Sequence, residues 1–363
     1  MSNLHYIIPI FVPHEGCPHE CVFCNQNSIT GTKAKVDAMY VEQTVNEYLQ
    51  TINNEDAIIE VSFFGGTFTA IKTEKQIELL TVAKRFKDNN KIKFIRLSTR
   101  PDYIDDFVLQ NLKKYSVDII ELGVQSMDEE VLLKSGRGHT ALDVENASKL
   151  IKEYGFILGH QIMIGLPGDN KNKDIETAKK VIELKPDICR IYPALVIKDT
   201  HMEKMYIEQK FKPYLLSEAV NISKIIYIMM VANQINVIRI GLQATEEISE
   251  GHDLVAGPFH PAFGELVEGS IYNELLYDVI NDNLKNDIYF NKVLVKVNPK
   301  DISKLYANGK SFFNDMKKQV EIVSIDVFQD IEIKRGSICI CIEEKCIIMT
   351  IYEYVHKKYK EGF

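Results

Sequence analysis

No apolar run in this 363-residue chain approaches the roughly 20 residues that a bilayer-spanning helix requires. The densest, Ile225 to Ala232, is too short, so no membrane role is expected. The first residues lack a basic segment followed by a long apolar core, which leaves no evident signal peptide and points to the cytoplasm. A basic excess is missing too: 43 Lys and Arg against 51 Asp and Glu give a net charge of −8. That balance does not exclude RNA, but it withholds the basic footprint that would argue for RNA binding. The clustered Lys84, Arg85, Lys87, Lys91 and Lys93 read as a solvated helix face. Cysteine is scarce, and 7 of them in a long chain read as ligands or small core residues rather than a disulfide framework. No internal repeat or low-complexity segment stands out. The rest is ordinary globular composition, long enough for one large domain or one with a smaller appendage.

Three of the cysteines sit within eight residues, Cys17, Cys21 and Cys24, after the apolar run Ile7–Val12. Their spacing lets the thiols converge on one centre from a single loop. Soft thiolate ligands favour zinc or iron–sulfur clusters. Structural zinc takes four ligands and ferredoxin-type clusters take four cysteines, and no fourth cysteine is near. Two readings stay open at this level: zinc completed by a residue such as His14 or His19, or a 4Fe–4S cluster with one iron lacking a protein ligand.

Beyond this loop, apolar strands alternate with amphipathic helices. Strands are expected at Ile7–Val12, Ile58–Phe64, Ile92–Ser98, Val117–Val124, Ile157–Ile164 and Ile188–Tyr192. Helices are expected at Val36–Thr51 and near Glu74–Asp88, Asp105–Tyr115, Leu142–Tyr154 and Asp174–Leu184. This pattern predicts an α/β fold of parallel βα units. In such folds, loops beyond the carboxyl ends of the strands build the active site. Each unusual loop occupies that position: the cysteines, Gly65-Gly66-Thr67, Thr99-Arg100-Pro101, Gln125-Ser126 and Gly165-Leu166-Pro167-Gly168. Past about Asp199 the alternation weakens. Helices are expected over Tyr214–Ile235 and Phe263–Leu284, with a strand at Val237–Leu242 between them. Strands at Val293–Val297, Val320–Val327 and Ser337–Ile342 then surround a helix near Asp301–Ala307. The division expected is a main domain over 1–285 and a small α+β appendage over 286–363.

These motifs resemble the radical S-adenosylmethionine superfamily, and most closely the radical domain of the elongator-complex catalytic subunit. The resemblance rests on Cys17-x3-Cys21-x2-Cys24, Phe63–Phe68, Ser98–Tyr103, Ile120–Ser126, Arg137–Thr140, Ile162–Gly168 and Arg190–Ile197. It implies a partial (β/α)6, TIM-like barrel whose cysteine loop holds a 4Fe–4S cluster. It also implies S-adenosylmethionine chelating the open iron, and a low-potential electron donor of flavodoxin or ferredoxin type. Reductive cleavage would yield methionine and a 5′-deoxyadenosyl radical for hydrogen abstraction. The elongator enzyme carries a basic RNA-binding extension and an acetyltransferase domain. Here the cysteines begin at residue 17 and no acetyl-coenzyme A loop is recognisable, so acetyl transfer to a wobble uridine is not expected. Ile238–Gln243 and Gly257–Gly264 look like stretches of short bacterial elongator-like radical proteins.

By that resemblance Cys17, Cys21 and Cys24 ligate the cluster and Phe23 packs near the adenine. Gly65, Gly66 and Thr67 meet the methionine ammonium, and Arg137 either holds its carboxylate or forms a surface salt bridge. Glu121, a carboxylate in an apolar strand, calls for a partner: the ribose hydroxyls, or a base such as Arg100 or Arg137. Gln125 and Gln161 hydrogen-bond the cofactor or a substrate, while Gly165 and Pro193 shape the adenine pocket. Arg239, Gln243, His252 and His260 lie where substrate contacts would come from, though a satisfied surface role is the plainer reading. Cys339, Cys341 and Cys346 suggest a second cluster, but two thiols on one strand face are read as core, as is Cys189. The competing functions are a non-catalytic iron–sulfur or electron-transfer protein and a zinc-stabilised scaffold.

Overall fold

The computed structural model describes residues 4–12, 21–25, 36–54, 56–242, 252–284, 292–320, 324–343 and 345–362. The chain divides into two compact units, Met1–Tyr214 with Gln243–Pro258, and Leu215–Leu242 with Phe259–Phe363.

In the first unit, strands and helices alternate. They are β1 (His5–Phe11), α1 (Ala38–Thr51), β2 (Ile58–Phe64), α2 (Thr73–Asp88), β3 (Phe94–Thr99) and α3 (Asp106–Lys114). There follow β4 (Ile119–Gln125), α4 (Glu129–Lys134), α5 (Ala141–Glu153), β5 (Ile157–Ile164), α6 (Lys171–Leu184) and β6 (Ile188–Pro193). β1 to β6 lie side by side in chain order, each parallel to the next, as the partial (β/α)6 barrel requires. Side-chain caps start several of the crossover helices, though not α2. Asp37 and Asp105 accept from Tyr40 N and Val108 N, and Thr140 forms a capping box with Asp143. The two-residue β7 (Val196–Ile197) pairs with Leu254–Ala256, a segment that returns to this unit from later in the chain.

Strand alternation sorts the side chains by face. Val61, Phe63, Ile95, Leu97, Ile120, Leu122, Leu158 and Ile191 are fully or almost fully buried on one face. The opposite, inner face carries Glu60, Ser62, Arg96, Ser98, Glu121, Gly123, Gly159, Gln161, Arg190 and Tyr192. The barrel is therefore apolar under its helices and polar within.

The first unit also holds the short helix α7 (His201–Ile207) and, as β9, the returning segment Leu254–Ala256. The elements of the second unit are α8 (Leu216–Ala232), β8 (Asn236–Ile240), α9 (Phe263–Leu284), β10 (Lys292–Val297), α10 (Ile302–Leu305), α11 (Ser311–Val320), β11 (Ser324–Gln329), β12 (Ser337–Ile342), β13 (Lys345–Thr350) and α12 (Ile351–Glu361). Four strands form a sheet in the order β11-β10-β12-β13. Ile228, Ile271, Leu275 and Ile280 of α8 and α9 share one core with Val293, Val295, Ile338, Ile340, Tyr354 and Val355. The boundary expected near residue 285 is thus not where the packing divides. α8 and α9 bury their apolar surface against the C-terminal sheet, which moves the first division to Tyr214/Leu215. The strand expected over Val320–Val327 is also revised: α11 runs through Val320 and β11 begins at Ser324. Among the described residues no helix is long and apolar enough to cross a membrane.

Candidate active site

Cys17 lies outside the described residues, as do His14, His19 and Gln243. Cys21 is buried and Cys24 half-buried, in a tight turn closed by Cys24 N–H donating to Cys21 O at 2.9 Å. Two further backbone bonds seat this turn: Val22 N to Ser135 O (3.1 Å) and Met202 N to Val22 O (2.7 Å). Phe23 packs on an apolar cluster that includes Val22, Met163, Leu166 and Ala194. That contact suits a ring wall and a core residue equally.

The carboxyl ends of β2 to β4 bring the next residues in. Gly65 has φ 109°, a conformation that glycine supplies without strain. Thr67 is buried and opens a single 3-10 turn, Phe68–Ala70. Gly66 lines a small crevice with Val12, Phe64 and Ser98. At the end of β4 the ladder to β5 slips between Gly123 and Gln125, and Gln125 takes φ +63°. This bulge re-aims the glutamine.

Arg137 is neither exposed nor in a surface ion pair. Its Nη1 donates to Cys21 Sγ at 3.2 Å and its Nη2 to Gly123 O at 2.6 Å. A hydrogen bond on a ligating sulfur is one of the protein's levers on a thiolate-held centre. A Cβ on Gly123 would stand 3.0 Å from Gln125 Nε2, 3.2 Å from Arg137 Nη2 and 3.6 Å from Thr99 O. Gln125 and Arg137 thus converge above Gly123. Gln125 Oε1, Arg137 Nε and Arg100 Nη1 are buried with no hydrogen-bond partner among the described residues. Most buried polar atoms are paired, so unpaired ones at a loop cluster call for an explanation. A ligand with anionic and hydrogen-donating groups fits both the guanidinium atoms and the amide oxygen. Arg100 is otherwise held by Asp102, with two bonds of 2.9 Å. His139 Nε2 lies 3.2 Å from the backbone carbonyl Val124 O. Burial first, then Arg137 and Arg100, lower its pKa from 6.5 to about 3. It stays neutral beside the two guanidiniums.

Glu121 does have a cationic partner, but not Arg100 or Arg137. Arg96 Nη1 donates to it at 3.1 Å and Arg190 Nε at 2.6 Å. Arg96 also grips Glu60 from Nη2 (3.0 Å), and His5 reaches Glu60 from the far side at 3.1 Å. The four charges form a buried floor across the inner face of β2, β3, β4 and β6. Gly159 gives it room, since a Cβ there would meet Glu121 Cγ at 2.6 Å. Above the floor, Ser98, Gly123, Gln161 and Tyr192 are only half-buried, so the next layer is open. Arg96 and Arg190 were the residues that sequence reasoning missed. A charge at the third position of β2, β3, β4 and β6 is the signal that marks them.

Gly165 (φ +73°) lies under the Tyr214 ring, 2.6 Å from where a Cβ would sit. Its N–H donates to Asp174 Oδ1 at 3.3 Å, and Tyr214 OH donates to Oδ2 at 2.7 Å. Pro193 is buried at the end of β6. Arg239 Nε donates to Gly241 O (3.2 Å), and His260 Nδ1 accepts from Ala262 N (3.1 Å), both local contacts. His252 is exposed.

Comparison with known proteins agrees with this geometry. A family profile described as the radical SAM superfamily matches residues 11–181, and one described as the radical SAM C-terminal domain matches 186–273. A tRNA uridine(34) acetyltransferase of Methanocaldococcus jannaschii is 27% identical over 255 residues, covering 60% of this chain and 47% of that protein. Elongator complex protein 3 of Saccharomyces cerevisiae is 26% identical over 257 residues, covering 59% and 46%. The chain spans about half the length of these curated relatives. The solved structure of archaeal Methanocaldococcus infernus Elp3, with an N-terminal deletion, shares the fold. Its TM-score is 0.60 at 23% identity, over 76% of this chain and 64% of that one.

Proposed function

The chain is an enzyme of the radical S-adenosylmethionine superfamily, and from that premise we propose that Cys17, Cys21 and Cys24 hold its 4Fe–4S cluster. A cluster held there would supply the chemistry of the family, reductive cleavage of S-adenosylmethionine for hydrogen abstraction from a substrate. Arg137 carries this reading: its guanidinium touches Cys21 Sγ and keeps a buried Nε that has no hydrogen-bond partner among the described residues.

The surrounding residues have roles that follow from their positions. Arg137 and Arg100 offer donors to the cofactor's carboxylate, and Gln125 Oε1 accepts from its ammonium or a hydroxyl. Gly65, Gly66 and Thr67 line its methionine end, and Gly165, Pro193 and Phe23 its adenine end. Glu121, already taken by two arginines, holds Arg190 and Arg96 in place rather than binding ribose directly. Gln161, with Ser98 and Tyr192, faces the open layer where substrate enters. A reductant of the flavodoxin or ferredoxin class supplies the electron.

Two substrate classes remain in play, each favoured by one observation. Relatives named as tRNA uridine(34) acetyltransferases favour an RNA nucleotide, and the net charge of −8 favours a small metabolite. Filter binding with a salt titration separates them, since absent tRNA binding at low salt removes the RNA class. The chemistry is tested by anaerobic reconstitution with reductant and S-adenosylmethionine. The intact protein is expected to release 5′-deoxyadenosine and Cys24→Ala none; a cluster-loaded protein that releases none contradicts the reading. Iron content with broad visible absorption excludes the zinc scaffold.

A further inference from the structure

The radical chemistry leaves a second group of thiols unused. The β12–β13 hairpin sets Cys341 directly opposite Cys346, with Cys339 two residues back on the same face of β12. The three Sγ atoms lie within 4.8 Å of one another, and those of Cys339 and Cys341 are 3.8 Å apart. Cys341 and Cys346 are joined as a disulfide. Core filling accounts for Cys339 and Cys341 but not for the third thiol, the exposed Cys346. Ile338, Ile340 and Ile342 take the core face of β12, whereas Cys339 and Cys341 face away from it, beneath Ile333 and Leu294. The core role expected for Cys339 and Cys341 is met by this smaller cluster, and it leaves the exposed Cys346 unexplained.

We propose that the reduced triad Cys339, Cys341 and Cys346 binds one thiophilic monovalent cation of the Cu(I) class through three thiolates. A dithiol reductant supplies the two electrons and two protons that open Cys341–Cys346, and is itself oxidised to a disulfide. The cation then displaces the three thiol protons. Three sulfurs about 2.3 Å from a shared in-plane centre stand about 4 Å apart, close to the 3.8 Å between Cys339 and Cys341, and reduction frees Cys346 to reach the third position. Thiolates select Cu(I), zinc or iron–sulfur clusters. Structural zinc takes four ligands, and among the described residues no His, Asp or Glu joins the three. The apolar cover also suits a soft three-coordinate ion better than a hydrated one. Lys296, directly opposite Cys339 in the β10–β12 register, brings positive charge to the site, shared with Asp330 at 3.6 Å.

The test uses the full chain with Cys17→Ala, Cys21→Ala and Cys24→Ala, which removes the competing loop. Cys189 does not compete, because burial pushes its thiol up to about 12. Should that chain not fold, the cluster-loaded intact protein serves, its first three cysteines being occupied. After anaerobic reduction, Cu(I) is titrated against a chromogenic copper chelator. One equivalent is expected to be retained, three thiols to become resistant to alkylation, and exposed Cys346→Ser to weaken binding on the order of a hundredfold. No chelator-resistant copper, binding unchanged in Cys346→Ser, or retention of zinc in preference to copper overturns the proposal.

Discussion

The inner face of β2–β6 buries Glu60, Arg96, Glu121 and Arg190 in direct contact, whereas the C-terminal sheet buries Val293, Val295, Ile338 and Ile340 against α8 and α9. Aliphatic burial stabilises in proportion to the area removed from water. Buried ion pairs lose most of their Coulomb attraction to desolvation, so they are weak evidence for stability. The contrast implies different work for the two regions. The second unit's sheet is held by volume; the barrel's interior charge holds side chains in fixed positions below an open polar layer.

The largest expected effect breaks the charged floor. Arg96→Met leaves two buried carboxylates with one cation fewer and should cost about 3–5 kcal/mol in urea unfolding. Ile340→Val in the aliphatic core should cost only about 1 kcal/mol. Equal losses would remove the distinction between the regions.

Acid sharpens it next. His139 and His160 are held neutral, both lowered from 6.5 to about 3 chiefly by burial. Unfolding lets each take up a proton, so stability is full above pH 6.5 and falls as the pH drops toward 3. At pH 5 each costs about 2 kcal/mol. Asp174 opposes this trend: burial and then Asp169 raise its pKa well above 3.8, so its contribution is full below 3.8 and lost as pH rises through the raised value. The clean measure is therefore a difference. In apo protein, His160→Gln should recover about 2 kcal/mol of the loss between pH 7 and pH 5, read by hydrogen exchange in β4 and β5. An unchanged pH dependence contradicts it.

The smallest effect concerns the cofactor. Arg137→Lys keeps the charge but loses the fork that spans Cys21 Sγ and Gly123 O. S-adenosylmethionine should bind about tenfold more weakly, about 1.4 kcal/mol, by equilibrium dialysis of cluster-loaded protein. Cys341→Ala in the second unit should leave that affinity unchanged.

Much of the barrel was legible because parallel strands covered on both faces read as short apolar runs with loop signals after each. β2 and β5 fall at the expected bounds, Ile58–Phe64 and Ile157–Ile164. The loops at the strand ends were legible for the same reason. Side-chain pairing was not. Glu121 announces that it needs a cation, but choosing Arg96 and Arg190 over Arg100 and Arg137 requires knowing which residues share the inner face. The unit boundary was hidden by topology, since 243–258 returns to the first unit and no linear reading shows a return. Short α4 and α7 were missed because a helix of one or two turns carries little periodicity. The cysteines of β12 are core residues as expected, but only the hairpin pairing shows that Cys346 of β13 stands beside them.

We propose that the first cysteine loop leaves an iron open to S-adenosylmethionine, and the electron paramagnetic resonance spectrum of the reduced cluster, taken before and after S-adenosylmethionine is added, tests this. A chain carrying Cys339→Ala, Cys341→Ala and Cys346→Ala excludes the second thiol group from the signal. The account predicts a cluster signal that shifts on addition of the cofactor. A cluster signal that the cofactor leaves unchanged would contradict it.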